Sequence, residues 1–428
     1  MNFILIFVGV LFSLMALGVP VGIVLMLCGM TVMTSLGMHD PRTVAQNMIQ
    51  GLNNYVLMAI PFFILAGELM GKGGLTRRIV AASKVFAGRI RGSLGYTTIV
   101  ATIIFSGLSG SAVADAAAIG TMLIPLMVAS GYNSARSGAL VASCSVITPL
   151  IPPSTGFILI GVSCNLSIAR LFMGGIVPGF IFGIALMIGW YFIAKLDGYK
   201  DQQTFTRQEA KVIVIDAIPA LVMPVLVICG IRFGLFTPTE AGAFCVVYAL
   251  FVCNFFYKEL NWQKTKEALL EAAITTAAVA LIVAGATVFG YYMTIAQLPA
   301  LMVKMLGGFI DRPILLLFII NIFMLVIGMF MDMTPNILIF SPILMPIAKA
   351  AGIDPYFFAF IFCVNVTIGL FTPPVGTTLF VLLRISRTKY SDFVYKTLPF
   401  YGILLAVFLL YVFFPQLYLA PLKLLYGR

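Results

Sequence analysis

Long apolar runs recur from one end of the chain to the other, and they limit the possible folds more than any motif does. Each run is long enough to cross a bilayer, since about 20 helical residues span its hydrocarbon core. The alternation of polar and apolar residues that marks a membrane β-barrel is missing from them. The sequence therefore predicts an all-α, polytopic membrane protein. The runs cover residues 3–37, 54–71, 93–194, 213–231, 239–257, 268–295, 313–348, 356–383 and 397–419.

Composition excludes several classes of function. Hydrophobic residues make up 61% of the chain and charged residues 10%, whereas soluble domains have about 25% charged residues. The net charge of +11 does not indicate a nucleic-acid partner, because no basic stripe with interleaved aromatics occurs. The single histidine, His39, and the absence of CxxC pairs argue against a metal cluster. We expect a lipid bilayer as the environment, no nucleic-acid partner and no cofactor.

The distribution of Lys and Arg predicts the topology. Four short basic segments are assigned to the cytoplasmic face, because membrane proteins keep such segments there. With that assignment, residues 93–129 must enter and leave the membrane on the cytoplasmic face, as a re-entrant hairpin. Residues 313–348 must form a second hairpin from the other face, with the N-terminus cytoplasmic and the C-terminus periplasmic. The basic segments are 72–91, 195–211, 258–266 and 384–396.

The two hairpin regions align without a gap at an offset of 221 residues, and most matches are Gly or Pro, which control backbone geometry. Because the hairpins enter from opposite faces, the repeat is inverted, as in many secondary transporters. The aligned pairs are Gly107 with Gly328, Leu123 with Leu344, Pro125 with Pro346, Gly131 with Gly352, Ile147 with Ile368, and Pro152-Pro153 with Pro373-Pro374. The predicted divisions are an N-terminal half, 1–194, with a hairpin at about 93–129 and a broken helix at about 137–163; a cytoplasmic linker, 195–212; and a C-terminal half, 213–428, with a hairpin at about 313–348 and a broken helix at about 356–383.

The first hairpin tip is predicted at SGLSGS, residues 106–111, shortly before Asp115. Small residues let the chain turn and let helices approach closely. A helix that begins after the tip directs free N–H groups inward, which suits a carboxylate, while hydroxyls and freed carbonyls suit Na⁺. Close packing without a ligand is the alternative. Asp115 weighs against that alternative, because an intramembrane carboxylate usually has a function.

The second copy reads GMFMDMTPNILIFSPILMP, residues 328–346. Asp332 aligns with Ser111, and Asn336 aligns with Asp115, so each tip carries one acid, displaced by about one helical turn. We assign the two acids to the organisation of an ion site or of its hairpin. Capping of the helix that follows the tip remains an alternative role.

Two proline pairs predict broken helices beside the tips, in TPLIPPSTG (148–156) and GLFTPPVGTT (369–378). Consecutive prolines interrupt a helix and free carbonyl groups. In lipid, such breaks are tolerated only where they are buried or face a cavity. A simple kink is the alternative for a single break. The breaks offer oxygen ligands on Ser154, Thr155, Thr372, Thr377 and Thr378, and Asn365 is a further polar group in the second span.

The motifs SGLSGSAVADAAAIGTMLIP, PLIPPSTGFILIGV, GLFTPTEAGAF, GMFMDMTPNILI and GLFTPPVGTTLF together resemble the DctM-like large membrane subunit of tripartite ATP-independent periplasmic (TRAP) transporters. The resemblance spans essentially the whole chain. It implies an elevator-type fold of the ion-transporter superfamily, with Na⁺ as the coupling ion. It also implies an organic acid substrate, a periplasmic substrate-binding protein and a small four-helix membrane subunit, expected here as a separate chain.

The resemblance also assigns regions to the sites. The first Na⁺ site region comprises Ser106, Ser109, Gly110, Ser111, Asp115, Thr148, Pro152, Ser154 and Thr155. The second comprises Gly328, Asp332, Thr334, Asn336, Asn365, Thr372, Gly376, Thr377 and Thr378. Substrate is expected between the tips, near Ser109, Ser111, Ser154, Thr334 and Thr372.

The sequence thus predicts a Na⁺-coupled importer of a small organic acid, either a sugar acid such as sialic acid or diketogulonate or a C4-dicarboxylate. Two alternatives remain open. The hairpins and the positive charge would permit a passive organic-anion channel. An intramembrane aspartyl protease could use Asp115 and Asp332 as a carboxyl pair, but neither acid has a GxGD or YD context.

Overall fold

A computed structural model describes residues 2–38, 40–88, 90–201, 204–305 and 307–426. The side chains of residues 2–8, 108, 109, 299, 305 and 307 lie outside this description. Regular structure in the described residues is helical throughout. Eight of the described helices are long and apolar enough to cross a membrane. The prediction of an all-α polytopic membrane protein is therefore confirmed.

The first half of the chain supplies ten described α-helices. Its first apolar run forms two short helices, because Gly18 adopts a φ of +77° and Pro20 starts the next helix. The predicted hairpin at 93–129 is formed by α6 and α7, and the predicted broken helix by α8 and α9. The helices are α1 (Asn2–Ala16), α2 (Val21–Ser35), α3 (Pro41–Leu52), α4 (Ala59–Lys72), α5 (Leu75–Ala87), α6 (Ser93–Ser109), α7 (Ala112–Ala129), α8 (Ser134–Cys144), α9 (Thr155–Cys164) and α10 (Ile168–Leu196).

The second half repeats the arrangement after a connection whose described residues, 197–201 and 204–206, lie outside helices. A capping box starts this half, since the Thr206 N–H donates to Glu209 Oε2 at 2.8 Å and the Glu209 N–H donates to Thr206 Oγ1 at 3.2 Å. The second hairpin consists of α16 and α17, and the second broken helix of α18 and α19. The helices are α11 (Arg207–Arg232), α12 (Pro238–Phe251), α13 (Trp262–Ile295), α14 (Leu298–Met305), α15 (Gly307–Ile310), α16 (Pro313–Gly328), α17 (Met333–Ala350), α18 (Pro355–Gly369), α19 (Thr377–Ser386), α20 (Tyr390–Phe413) and α21 (Gln416–Tyr426).

Both ends of the first hairpin lie at the same face of the molecule. Ser93 Oγ, at the start of α6, donates a 2.8 Å hydrogen bond to Asp201 in the connection between the halves. Tyr132, just after α7, donates its hydroxyl to the same carboxylate. Burial and this bond raise the pKa of the Tyr132 hydroxyl, which keeps it a donor. The hairpin is therefore re-entrant, as predicted.

The second hairpin begins and ends at the opposite face. Phe318, near the start of α16, lies 5.7 Å from Phe413 at the end of α20, measured between ring centroids. Tyr356, just beyond α17, accepts a 3.4 Å hydrogen bond from the Ser167 N–H in the turn before α10. The two hairpins thus enter the bundle from opposite faces, and the repeat is inverted.

Hydrogen-bonded ion pairs lie at the face of the molecule that carries the basic segments 72–91, 195–211, 258–266 and 384–396, which we call the basic face. Arg78 Nε lies 2.9 Å from Asp216 Oδ2, and Arg78 Nη1 lies 2.8 Å from Glu259 Oε1. Arg136 Nε lies 2.9 Å from Asp197 Oδ2, and its Nη1 donates to the Lys396 carbonyl at 2.6 Å. Segment 72–91 thus contacts segment 258–266, and Arg136 links segment 195–211 to segment 384–396.

The two repeats interlock across the centre of the bundle. Helix α7 of the first hairpin packs against α19 of the second broken helix, and α17 packs against α9. The first contact is close, because a Cβ at Gly120 would lie 2.7 Å from Leu382 Cδ2. At the second, the hydroxyls of Ser163 and Ser341 lie 2.9 Å apart. Each hairpin thus rests on the broken helix of the other repeat.

A second group of helices packs around α13, which contacts α2, α3 and α4, while α12 packs on α4 and α11 on α5. A Cβ at Gly22 would lie 2.8 Å from the Leu281 carbonyl oxygen, so α2 and α13 approach closely. The first hairpin borders this group where Gly107 faces Pro224 of α11.

Candidate functional site

The first hairpin turns at Gly110. Helix α6 ends at Ser109, and Gly110 adopts a φ of +65°, a conformation that glycine reaches without a side-chain clash. Ser111 is the N-cap residue of α7, and the buried Asp115 lies in the first turn of that helix. Ser111 and Asp115 therefore stand at a helix N-terminus, as predicted. The predicted Ser109 side chain lies outside the described residues.

The tip of the first hairpin contacts the break in its own repeat. Thr155 Oγ1 donates a 2.9 Å hydrogen bond to the Gly110 carbonyl oxygen. A Cβ at Gly110 would lie 2.2 Å from the Pro153 carbonyl oxygen, so only glycine fits there. The structure thus brings the hairpin turn into contact with the proline pair, whose peptide bond is cis.

Further residues of the predicted first site join this contact. Ser106 Oγ donates a 2.6 Å hydrogen bond to the Thr102 carbonyl and lies 3.4 Å from Thr148 Oγ1. A Cβ at Gly107 would lie 3.3 Å from the Pro152 carbonyl oxygen. Ser154, by contrast, caps α9 by accepting from the Phe157 N–H at 3.1 Å. Its hydroxyl therefore has a structural role in addition to the predicted binding role.

The second tip meets its break in a comparable way. Gly328 of α16 packs against Gly369 of α18, and a Cβ at Gly369 would lie 2.8 Å from Gly328 Cα. Gly376, which precedes α19, donates its N–H to the Met329 carbonyl at 2.8 Å. Asp332 is the N-cap residue of α17 and makes no side-chain capping bond there. Its side chain is exposed in the isolated chain, whereas that of Asp115 is buried.

Three buried side-chain oxygens at the second tip have no hydrogen-bond partner among the described residues. Asn336 donates through Nδ2 to the Met331 and Asp332 carbonyls, at 2.9 and 3.0 Å, which leaves Oδ1 unpartnered. The Oγ1 atoms of Thr377 and Thr378 are also buried and unpartnered. A buried polar atom left without a partner costs about 1–3 kcal/mol. A bound cation would supply the missing partner.

The remaining residues of the predicted second site are placed differently. Thr372 Oγ1 donates to the Ile368 carbonyl at 2.6 Å, and Thr334 is half-buried in the first turn of α17. Asn365 faces α16, where its Nδ2 donates to the carbonyl and Oδ1 of Asn321, at 3.0 and 2.9 Å, and its own Oδ1 is a fourth buried oxygen with no partner among the described residues. The role of Asn321 was not predicted. Its signal was a single amide within the apolar stretch PILLLFIINIF.

The tips contain no cationic side chain. Residues 92–135 contain no Lys or Arg, and the second hairpin has none between Arg312 and Lys349. Among the described residues, no three His, Cys, Asp or Glu side chains come together. A carboxylate between the tips would therefore contact helix N-termini, hydroxyls and bound ions rather than a basic side chain. The ligands that the tips offer to a metal ion are oxygen atoms, which suit a hard cation.

Two inverted repeats, with re-entrant tips set against broken helices in a membrane bundle, define a multi-pass membrane transporter. The chain belongs to the family of the tripartite ATP-independent periplasmic transporter, DctM component, whose family model matches residues 8–417. This family consists of transporter permeases rather than enzymes.

Named relatives match over nearly their whole length. The chain is 43% identical to the 2,3-diketo-L-gulonate TRAP transporter large permease protein YiaN of Escherichia coli, over 98% of this chain and 99% of that protein. It is 39% identical to the sialic acid TRAP transporter large permease protein SiaM of Vibrio cholerae, over 98% of both chains. In fold, it resembles the YdaH transporter of Alcanivorax borkumensis, with a TM-score of 0.60 and 16% identity over 90% of this chain and 88% of that one.

Proposed function

We propose that this chain is the large permease subunit of a Na⁺-coupled, binding-protein-dependent secondary transporter that imports a small organic acid. Its tips would bind Na⁺ and hold the acid between them. Transport would proceed by an elevator movement, with the N-terminus cytoplasmic and the C-terminus periplasmic. The family supports the transport function, and the geometry of the tips supports the ion coupling.

The observation that carries the proposal is the set of unpartnered oxygens at the second tip. Asn336 Oδ1 lies on the helix that follows the second tip, and Thr377 Oγ1 and Thr378 Oγ1 lie at the start of the helix that follows the break. The break joins the tip through the bond from the Gly376 N–H to the Met329 carbonyl. A hard cation binds oxygen atoms, and oxygens that accept no hydrogen bond are available for this purpose. Freed backbone carbonyls at a helix break can complete such a site, as in other transporters with discontinuous helices.

The first tip supports a second ion site of related design. Its components are the hydroxyls of Ser106, Thr148 and Thr155 and the carbonyl of Gly110. The buried Asp115 lies in the first turn of α7, which follows this tip. Ions at both tips would place positive charge next to the helix N-termini. Such charge would compensate for the lack of Lys and Arg when a carboxylate binds.

Sugar acids are the proposed substrate class, because two relatives that match over nearly their whole length are named as transporters of diketogulonate and of sialic acid. C4-dicarboxylates remain candidates to be tested beside them. The proposed partners are a small four-helix membrane subunit on a separate chain and a periplasmic substrate-binding protein, in keeping with the three components of a tripartite transporter.

An elevator movement is supported by the division of contacts. The two hairpins pack against the broken helices through the pairs α7 with α19 and α17 with α9. In the second group, α2, α3 and α4 pack around α13, and α12 packs on α4. Where the first hairpin borders the second group, the absence of a side chain at Gly107 brings α6 close to Pro224. The two groups also meet where α6 packs on α5 and where α17 packs on α13, and these are the contacts that such a movement would change.

Uptake into proteoliposomes tests the function. The vesicles would contain this chain, its small partner and its binding protein, and labelled sialic acid, diketogulonate and C4-dicarboxylates would be offered with and without an inward Na⁺ gradient. We expect accumulation of one acid only when Na⁺ and the binding protein are both present. Because coupling is reciprocal, that acid should also raise the affinity for Na⁺. Downhill flux that needs neither would identify a passive channel and refute the proposal.

A further inference from the structure

A cavity of about 380 Å³, lined mostly by polar and charged residues, opens on the basic face. It lies between the start of α8, the turn from α19 to α20 and the first turns of α20. Its lining includes two lysines, Lys389 and Lys396, and one acid, Asp392. Among the described residues, neither lysine forms an ion pair. The lining therefore carries a net positive charge, because two lysines face a single aspartate.

Buried hydrogen bonds hold the walls of this cavity in place. Ser134 Oγ donates to the Ser386 carbonyl at 2.6 Å, which joins the start of α8 to the end of α19. Arg136 is buried, and its Nη1 holds the Lys396 carbonyl at 2.6 Å while its Nε pairs with Asp197. Lys396 is thus anchored through its backbone, and its side chain remains available.

The first turn of α20 adds hydrogen-bond donors. Lys389 is the N-cap residue, and no side chain caps the helix there. A helix of 24 residues without a side-chain cap presents N–H groups at its start that favour a negative group. Together with two unpaired ammonium groups, these donors suit a phosphate.

The surroundings of the cavity indicate where such a phosphate comes from. Tyr395, which lines the cavity, is 70% exposed, and Leu398, one turn further along α20, is 53% exposed. Tyrosine followed by exposed leucine is typical of a helix that enters the bilayer at the headgroup level. A free phosphate ion would gain nothing from this apolar border, whereas a phospholipid would place its acyl chains there.

We propose that this cavity binds the phosphate of an anionic phospholipid from the leaflet at the basic face. Lys389 and Lys396 contact the phosphate, the start of α20 donates N–H groups, and Asp392 limits the affinity. Basic pockets between membrane helices on this face are suited to acidic headgroups. The site is independent of Na⁺ and of the proposed substrate.

Native mass spectrometry of the purified full chain, exchanged into vesicles of phosphatidylglycerol or phosphatidylcholine, tests the site. We expect preferential retention of phosphatidylglycerol, and a loss of about 25-fold in the double variant Lys389→Gln with Lys396→Gln, since each lysine at an anionic surface contributes about fivefold. The matched control, Lys258→Gln with Lys266→Gln, removes the same charge from exposed positions of the same face and should retain the lipid.

A variant with the opposite effect excludes misfolding as the cause. Asp392→Asn removes the opposing carboxylate and should increase retention of phosphatidylglycerol. Equal retention of both lipids, an equal loss in the control variant, or unchanged retention in Asp392→Asn would each overturn the proposal. Displacement of phosphatidylglycerol by millimolar inorganic phosphate would instead identify a soluble-anion site and would also overturn it.

Discussion

Thr155 donates its hydroxyl to the carbonyl oxygen of Gly110 across 2.9 Å, and this bond joins the break in one helix to the turn of a re-entrant hairpin. The bond holds one junction at which the coupling ion is proposed to bind. A change at either residue should therefore alter ion coupling before it alters membrane insertion.

Replacement of Thr155 by Val tests this junction. The variant keeps the shape of the side chain but removes a hydrogen bond worth about 1 kcal/mol, so the Na⁺ concentration for half-maximal uptake should rise about fivefold. Na⁺ titration of uptake in proteoliposomes measures the effect. Thr121→Val, at an exposed position of α7, is the control, and an equal shift in both variants would refute the role of Thr155.

We expect glycine to be indispensable at position 110 because of its close contact with Pro153. This effect can be separated from the cost of the left-handed backbone conformation. Gly110→Ala would place a Cβ 2.2 Å from the Pro153 carbonyl, in addition to the cost of about 1–2 kcal/mol for a left-handed alanine. Gly131 has a φ of +88° but nothing within 4 Å, so Gly131→Ala bears only the conformational cost. We expect uptake to be lost in the first variant and kept in the second. Equal uptake in the two would contradict the tip–break contact.

The two tip acids should matter for coupling rather than for assembly. Asp115→Ala and Asp332→Ala should each lower Na⁺-dependent uptake at least tenfold, since interactions with a charged group contribute about 1.5–3 kcal/mol, while membrane insertion stays normal. Asp311→Ala, an exposed acid just before α16, is the control. Normal Na⁺ dependence in both tip variants would remove their assigned role.

The unpartnered hydroxyl of Thr378 gives a prediction that does not need transport. Thr378→Val replaces an unpartnered buried oxygen with a methyl group, so the thermal midpoint without Na⁺ should be unchanged or higher. The rise in midpoint on addition of Na⁺, which reports binding, should shrink. The buried Thr397 already donates to the Phe393 carbonyl at 2.7 Å, and Thr397→Val should keep the full Na⁺ response. A full response in Thr378→Val would exclude this oxygen as a ligand.

A cross-link tests whether the repeats move together. Ser163 and Ser341 have hydroxyls 2.9 Å apart on α9 and α17, so Ser163→Cys with Ser341→Cys, in a background with Cys164→Ala, should form a disulfide readily. Because both helices belong to the interlocked hairpin group, the oxidised protein should transport at the rate of its reduced form. Loss of uptake that a reductant restores would show that the repeats must move apart.

Much of the local geometry was predictable from the sequence, because glycine and proline impose it directly. The turn at Gly110 and the breaks at Pro152 and Pro373 follow from backbone preferences that need no knowledge of the neighbours. The distribution of Lys and Arg then placed the second hairpin, and the 221-residue offset aligned its glycines and prolines with those of the first.

The contacts between helices were not predictable in the same way. In a membrane bundle, apolar residues occupy both the lipid-facing and the buried sides, so periodicity does not reveal which face meets which helix. The pairing of Asn365 with Asn321 and the contact of Gly120 with Leu382 both depend on packing. These are the features that separate a polar residue's structural role from a binding role.

The interlocking of α7 with α19 and of α9 with α17 also limits how the chain can be made. The face of α7 around Gly120 is covered by α19, whose Leu382 is synthesised more than 250 residues after Gly120. The first hairpin therefore enters the membrane before its partner helix exists. A product that stops between the halves would therefore insert without maturing, and it would present a recognisable target for membrane proteolysis.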